Sequence, residues 1–487
     1  AESALSQLGY IIPKPLYYIG QYSLVVLLAK FFNTSVSLVD KLLVPVLSSA
    51  ILPGLIYQEL KNILDNKKIL LASMILALTL ITPLFFYTVP QSLANLLLLI
   101  LIFTSLPLII QQQKIPVGQW LILIAIFFIH PLSAMPGLIY LGFWSLIIIN
   151  KHRSLKFLFL LLSAIIMPLL FILMANFSND FGISFSWPNL LNFSQTLGSN
   201  IFNYLPFYSV YHLVYLYNFN SLLLFLLFFS LGIFYLHWQK YTKFVVNYLL
   251  LLGALLIGLV LVALISFSAV IDYEQAEFAK RLLQVIALLA APIVLIGFYL
   301  TLKKILALAK GRVITIFFVG LILSFSLYLS YPHNDALEKG RNYAVSAYDL
   351  EAVSWIDSDA VNTDYVVLAN QSVSAASLQE FGFKKYYIST PLPTLPSSEG
   401  RPNKVQQLFY YPIPTSSPLY EIYLDLIYNG VTMEKIQKAR ELTGASKVYL
   451  VINDYWLDAK KRVEEAKLLT KRHEEIEGRV WVFGFKE

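Results

Sequence analysis

Few side chains in the first 331 residues can take part in chemistry. The acids there are Glu2, Asp40, Glu59, Asp65, Asp180, Asp272, Glu274 and Glu277. A carboxylate among them is what a general base would require. Three of them, Asp272, Glu274 and Glu277, fall in one ten-residue stretch that ends in Lys280 and Arg281. An arginine there can grip a phosphate with two parallel hydrogen bonds. Alternatively the stretch is a solvated loop whose cations touch lipid headgroups. His130 precedes Pro131 at a helix turn. It is either a cap or a functional group, since ionisable residues at membrane depth are functional candidates by default. The segment Asn176–Asn220 carries Trp187, Phe202, Tyr204, Phe207, Tyr208, Tyr211, His212, Tyr215 and Tyr217 but no Lys or Arg. It reads as an aromatic belt at headgroup level or as a wall for a lipid-linked substrate or a sugar, which stacks on aromatic faces.

The elements that must hold these groups are set by composition. The chain of 487 residues is 57% hydrophobic and 13% charged, against about 25% charge for a soluble domain. Lipid as solvent accounts for the deficit. A bilayer core needs roughly 20 apolar residues per helix. About ten such runs occur: Leu38–Tyr57, Ile69–Val89, Leu93–Ile110, Trp120–His130, Ala134–Ile149, Leu155–Ala175, Leu222–His237, Phe244–Ile271, Leu282–Leu302 and Val313–Leu329. The linkers Lys61–Lys68, Lys114, Lys151–Lys156, Lys240–Lys243 and Lys303–Arg312 alternate along the chain and hold 13 Lys and Arg. The opposite linkers hold only Lys280 and Arg281. The positive-inside rule therefore predicts that Ala1, the aromatic loop, the Asp272–Arg281 stretch and the C-terminus lie outside. The chain begins at Ala1. The expectation is an upstream helix, running inside to outside, that has been trimmed; a complete mature chain after a cleaved signal is the alternative.

Three regions follow: residues 1–36, an outer interfacial segment; residues 37–331, a multi-span helical membrane domain; and residues 332–487, an extracytoplasmic α/β domain. The last region holds 18 Lys and Arg against 21 Asp and Glu, and residues 1–331 hold 18 against 8. The net charge of +7 is thus a basic membrane part plus a mildly acidic soluble part, so a nucleic-acid partner is not implied. In the C-terminal region Tyr365–Ala369, Tyr386–Ile388, Lys447–Ile452 and Val480–Phe485 read as strands. Asp349–Ile356, Val373–Phe381, Leu419–Tyr428, Met433–Thr443 and Leu457–Leu469 read as helices, and Pro391–Pro402 as a loop. Tyr410, Tyr411, Tyr455 and Trp456 read as packing residues, or as exposed aromatics with a binding role. There is no Cys, so no disulfide or thiolate metal site. No paired-carboxylate or His-rich metal motif, Walker sequence or Rossmann glycine fingerprint appears.

With these residues in view, the chain resembles the GT-C superfamily of membrane glycosyltransferases. The stretch Pro15-Leu16-Tyr17-Tyr18-Ile19-Gly20-Gln21-Tyr22 is similar to the segment after the first outer loop of such proteins. His130-Pro131-Leu132 resembles a helix-turn pattern of bacterial and archaeal members. Tyr273–Arg281 resembles the place where members set an arginine against the donor's phosphate. Asp349-Leu350-Glu351-Ala352-Val353-Ser354-Trp355-Ile356 resembles the helix that opens their soluble domain. The resemblance implies transfer of a sugar from a polyprenyl-phosphate-linked donor to a glycan, lipid or protein acceptor, on the outer face of a prokaryotic plasma membrane. It implies phosphate binding by Arg281 and Lys280, and a substrate wall of His130, Tyr17, Tyr208 and His212. The catalytic acid is left open: Glu274, Glu277, Asp272, Asp180 and Asp40 are the candidates, with the soluble domain or an upstream segment as the other sources. Members usually carry that acid in the first outer loop; the expectation is that this loop, with the helix before it, is either absent here or begins at Ala1. Some members use a divalent metal, but this sequence supplies no second-loop acids for one. The competing expectation is a non-enzymatic membrane protein, either a transporter of lipid-linked cargo or an envelope assembly platform.

Overall fold

The computed structural model describes residues 18–61, 63–149, 153–177, 183–191, 193, 210–267, 275–330, 345–360, 363–381, 410–412, 418–456 and 458–486. The chain divides into two compact units. One comprises Ala1–Ser268 and Tyr273–Tyr331; the other comprises Ala269–Asp272 and Pro332–Glu487.

The described helices of the first unit are α1 (Ile19–Phe31), α2 (Val36–Leu60), α3 (Lys67–Ile81), α4 (Pro90–Ile110), α5 (Val117–Ile129), α6 (Pro131–Ile149), α7 (Arg153–Phe177), α8 (Val210–Phe219), α9 (Ser221–Trp238), α10 (Thr242–Ala263), α11 (Glu277–Leu306) and α12 (Gly311–Ser330). Among the described residues seven are long and apolar enough to cross a membrane: α2, α4, α6, α9, α10, α11 and α12. The second expected span is broken, because α3 ends at Ile81 and passes into the 3-10 turn Thr82–Phe85. Pro83 lacks the N–H that an α-helix would need at that point. The fourth is the 13-residue α5. His130 separates it from α6 in an extended conformation, φ −157° and ψ 97°, and Pro131 opens the next helix.

Helix α11 is the axis of this unit. It is buried on nearly all sides from Leu282 to Leu302, the pattern of a helix enclosed by others. Its contact with α9 is backbone-close. A Cβ on Gly297 would sit 1.8 Å from the Phe228 carbonyl oxygen, and one on Gly232 would sit 2.0 Å from that of Ile293. Small residues are what allow helices in lipid to approach this closely. Phe228 and Phe298 stack at 3.8 Å beside the crossing.

Two expected boundaries are corrected. The run Phe244–Ile271 is not one helix: α10 stops at Ala263, and β2 (Ile265–Phe267) pairs antiparallel with β1 (Ile183–Phe185). Arg281 does not head its helix either. Helix α11 begins at Glu277, so Lys280 and Arg281 already lie about one turn inside it.

In the second unit the helices are α13 (Ala347–Asp359), α14 (Gln371–Phe381), α15 (Pro418–Asn429), α16 (Met433–Thr443) and α17 (Ala459–Leu469). The strands β3 (Tyr365–Leu368), β4 (Lys447–Asn453), β5 (His473–Ile476) and β6 (Val480–Lys486) form one sheet in the order β3-β4-β6-β5. β3 and β4 are parallel, and the other pairs are antiparallel. Every residue of β3 and β4 is buried, because helices cover both faces. Val366, Leu368, Leu450 and Phe483 pack with α15, α16 and α17. Val367, Tyr449, Val451 and Val482 pack with α13 and α14. Tyr411 is fully buried in the second layer, and Trp456 packs in part against the first. The expected strand Tyr386–Ile388 and the loop Pro391–Pro402 lie outside the described residues.

Candidate functional site

Polar side chains of the helical unit gather where α1, α2, α4, α6 and α11 begin. The His130 turn is the pivot. His130 is 5% exposed and stacks on Tyr18 at 5.6 Å with ring planes 7° apart. Its Nδ1 accepts from the Ser133 backbone N–H at 3.3 Å and lies 3.1 Å from Ser133 Oγ. Ser133 Oγ donates to Asn95 Oδ1 at 3.0 Å. With Nδ1 used as an acceptor, the neutral imidazole carries its proton on Nε2.

A second link joins α1 to α2. The buried Gln21 donates from Nε2 to the Thr88 carbonyl at 3.4 Å and to Asp40 Oδ1 at 3.5 Å. Thr88 Oγ1 accepts from Val44 N at 3.0 Å. Gly20 makes this docking achievable, since a Cβ there would lie 2.9 Å from the Phe128 carbonyl oxygen of α5. The third link is at α11, where Gln91 Nε2 donates to Gln284 Oε1 at 3.3 Å. Glu277 pairs with Lys280 at 2.8 Å. Arg281 is exposed and makes no ion pair among the described residues; it stands within electrostatic reach of His130.

Asp40, His130, Glu277, Lys280 and Arg281 thus belong to the end of the unit built from these helix starts. His212 is on α8, whose Tyr217 bonds Ser326 at 3.0 Å and packs on Phe325. Tyr17, Asp180, Tyr208, Asp272 and Glu274 lie outside the described residues. Among the described residues no group of three His, Asp or Glu could hold a metal ion.

Sequence reasoning restricted to charged and aromatic residues missed Gln21, Thr88, Asn95, Ser133 and Gln284. A signal was present. Asn95 is the only Asn in the 21-residue α4, with Leu and Ile on most sides, and a polar group at such a depth is costly unless it bonds.

An apolar groove runs from this end down α11. Its volume is about 450 Å³, and it is lined by Leu222, Phe225, Phe229, Leu256, Leu283, Gln284, Ala287 and Val294, among others. From Leu283 to Val294 it follows roughly 16 Å of helix. Leu283 and Gln284 are one turn beyond Lys280 and Arg281, so cations stand on the helix just above the groove's mouth. A separate cleft of about 360 Å³ between Pro45–Pro53 and Phe85–Phe86 contains no charged lining residue. Compared with protein-family models, curated proteins and solved structures, the chain matches none.

Proposed function

We propose that this chain is an integral membrane glycosyltransferase that transfers a sugar from a polyprenyl-phosphate-linked donor, at the outer end of its helical unit. The observation that carries the reading is the apolar groove along α11 with Lys280 and Arg281 above its mouth. A hydrocarbon chain fits the groove, and a phosphate attached to it meets the cations. The helix start adds favourable partial charge for an anion.

In this reaction an acceptor hydroxyl attacks the anomeric carbon. The carbon–oxygen bond to acceptor forms as the bond to phosphate breaks, and polyprenyl phosphate leaves. A carboxylate takes the acceptor proton; of the candidates, Asp40 and Glu277 are within the described residues. Arg281 neutralises the charge that grows on the leaving phosphate. His130, fixed by Ser133 and Asn95, and Tyr18 form the polar wall beside it.

The test is transfer in reconstituted membranes, using polyprenyl-phosphate-linked sugars as donors. Radiolabelled sugar is expected to pass to acceptor in the wild type and not in Arg281→Ala at equal expression. Equal transfer by both proteins removes Arg281 from the site. Absence of transfer or hydrolysis with every donor, together with donor flipping across the bilayer, replaces the enzyme by a carrier of lipid-linked cargo.

A further inference from the structure

The cleft beside α2 is walled by other residues than the groove on α11, and the proposed transfer leaves it without a role. Five residues on one side of α2, from Pro45 to Pro53, line it together with Phe85 and Phe86. Its volume is about 360 Å³, and it follows roughly 12 Å of helix axis. Pro45 and Pro53 both stand inside α2. A proline there lacks the N–H that would close the turn, and its ring displaces the preceding carbonyl. The opposite wall is pinned two residues after Phe86, where Thr88 Oγ1 accepts from Val44 N at 3.0 Å. Phe85 is buried.

The chemistry of the cleft is that of hydrocarbon. Ser48 and Ser49 turn their hydroxyls back onto the Pro45 and Val46 carbonyls at 3.1 and 3.0 Å, so neither calls for a polar ligand. Helix α2 is long and apolar enough to cross a membrane, and only 22% of its most apolar stretch is buried within the protein. In a bilayer the rest of that stretch meets lipid, and a hydrocarbon chain can enter from the side.

A cation stands above the cleft. Leu38, Lys41, Leu42, Pro45, Ser49 and Leu52 recur at helical spacing and share one side of α2. Lys41 is therefore one turn, about 6 Å, beyond Pro45, at the end of the unit that also holds Asp40. It is exposed and has no ion pair among the described residues. A helical side chain leans toward the start of its helix, which carries this ammonium away from the cleft and up to headgroup level. Leu38 and Leu42, which flank it on that side, are half-exposed.

We infer that this cleft binds an anionic phospholipid of the bilayer, with one acyl chain between Pro45 and Pro53 against Phe85 and Phe86, and the headgroup on Lys41. Charge selects the headgroup. A zwitterionic lipid brings its own cation to the lysine, whereas a headgroup of net negative charge does not. A lipid-linked sugar has a similar chain and phosphate, but its saccharide would find only Leu38 and Leu42 flanking Lys41. None of these residues lines the groove on α11 or has a part in the proposed transfer, so the site stands whether or not the unit transfers sugar.

The test uses the full chain in phosphatidylcholine nanodiscs doped with phosphatidylglycerol that carries a diazirine at the middle of one acyl chain. After irradiation, labelled residues are mapped by mass spectrometry. Label is expected within residues 45–53 and on Phe85 or Phe86. The same diazirine on phosphatidylcholine should label them about fivefold less. Lys41→Gln, an exposed substitution, should lower labelling by phosphatidylglycerol about fivefold, equivalent to about 1 kcal/mol for one lysine near an anionic headgroup. Arg281→Ala should leave this labelling unchanged, which separates the cleft from the groove on α11. Equal labelling by the two lipids, or undiminished labelling in Lys41→Gln, makes the cleft an ordinary lipid contact and overturns the site. Absence of label from both walls overturns it as well. Loss of label on adding an equal amount of polyprenyl-phosphate-linked sugar overturns the phospholipid as occupant and gives the cleft to a lipid-linked saccharide.

Discussion

Lys280 and Arg281 are adjacent in the chain but differ in what surrounds them. Glu277 takes Lys280 at 2.8 Å, one turn back on the same helix. An exposed pair of this kind contributes only about 0.3–0.5 kcal/mol, but it leaves Arg281 with no ion pair among the described residues. Arg281→Ala is therefore expected to lower the rate of sugar transfer by about 10²–10³, the loss typical of removing one donor to a developing oxyanion. Arg281→Lys should fall between the two, since it keeps the charge and loses the fork. Lys280→Ala should lower the rate less than Arg281→Ala does, because Glu277 already takes part of the Lys280 charge. Initial rates on purified protein measure all three, and a Lys280→Ala loss equal to that of Arg281→Ala would transfer the role to the pair. The C-terminal unit has a residue of a different kind in Arg462, which is nearly buried. It donates to the Ile427 and Tyr428 carbonyls at the end of α15 and to both oxygens of Glu465. Arg462→Met should destabilise this unit by about 1–3 kcal/mol, the range for leaving buried carbonyls without their donor. Partial burial pushes the Glu465 carboxyl up, but the Val431 amide and the Arg462 guanidinium outweigh it and hold it below the usual carboxylate range. A carboxyl with a depressed folded pKa stabilises above its unfolded pKa, and that contribution disappears as pH falls through the folded value. Melting temperature should accordingly decline in acid, and Glu465→Gln should decline less steeply over the same window.

Among the elements, the α9–α11 crossing decides the shape of the groove. Both helices offer a glycine where the other's backbone comes closest, and neither site has room for a methyl group. Gly297→Leu or Gly232→Leu must push the axes apart and disrupt the Phe228–Phe298 stack. Overpacking of this type costs about 1–3 kcal/mol. The expected outcome is a lower melting temperature in detergent and less folded protein from membranes. Gly253→Ala is the control, because a Cβ there has nothing within 4 Å. Equal behaviour of all three variants would show that the crossing is not closely packed in the membrane. These contacts were invisible in the sequence, where Gly232, Gly253 and Gly297 are equivalent glycines in apolar runs. The strand β5 was missed for a related reason. Its residues, His473, Glu474, Glu475 and Ile476, are mostly exposed and polar, so no apolar alternation marks them, and their pairing with β6 makes the strand.

For the molecule as a whole, the outcome to be measured is sidedness. A reporter fused after Leu329 should be active only in the exported compartment, and one fused after Lys310 only in the cytoplasm. The reason is the 13 Lys and Arg of one set of linkers against two in the other, each such charge disfavouring export of its loop. Cytoplasmic activity at Leu329 would invert the topology and put Arg281 on the wrong face for an exported donor. At the far end of the helical unit from the candidate site, two of the basic linkers meet. There Lys303 pairs with Asp65 at 3.6 Å, and the Tyr299 hydroxyl accepts from Asn66 N at 3.0 Å.

Hydropathy and charge are summed locally along the chain, so the sequence alone determined that long apolar helices are followed by a region of strands and helices. The same local sums marked His130, an ionisable group among apolar neighbours, and Arg281, the end of a charged stretch between two apolar runs. Their neighbourhood was decided only by tertiary structure. Asn95 meets Ser133 across 38 positions, and Gln21 reaches Thr88 across 67. Such bonds depend on which helix faces turn toward one another, and apolar runs with Leu and Ile on every side do not specify that. Backbone approach at Gly232 and Gly297 sets the facing in one case, and at Gly20 in another. The parting of the chain after β3 and β4 is likewise a property of the assembled sheet. Both strands are buried on both faces, so their sequences carry no mark of the side to which the next helix will turn.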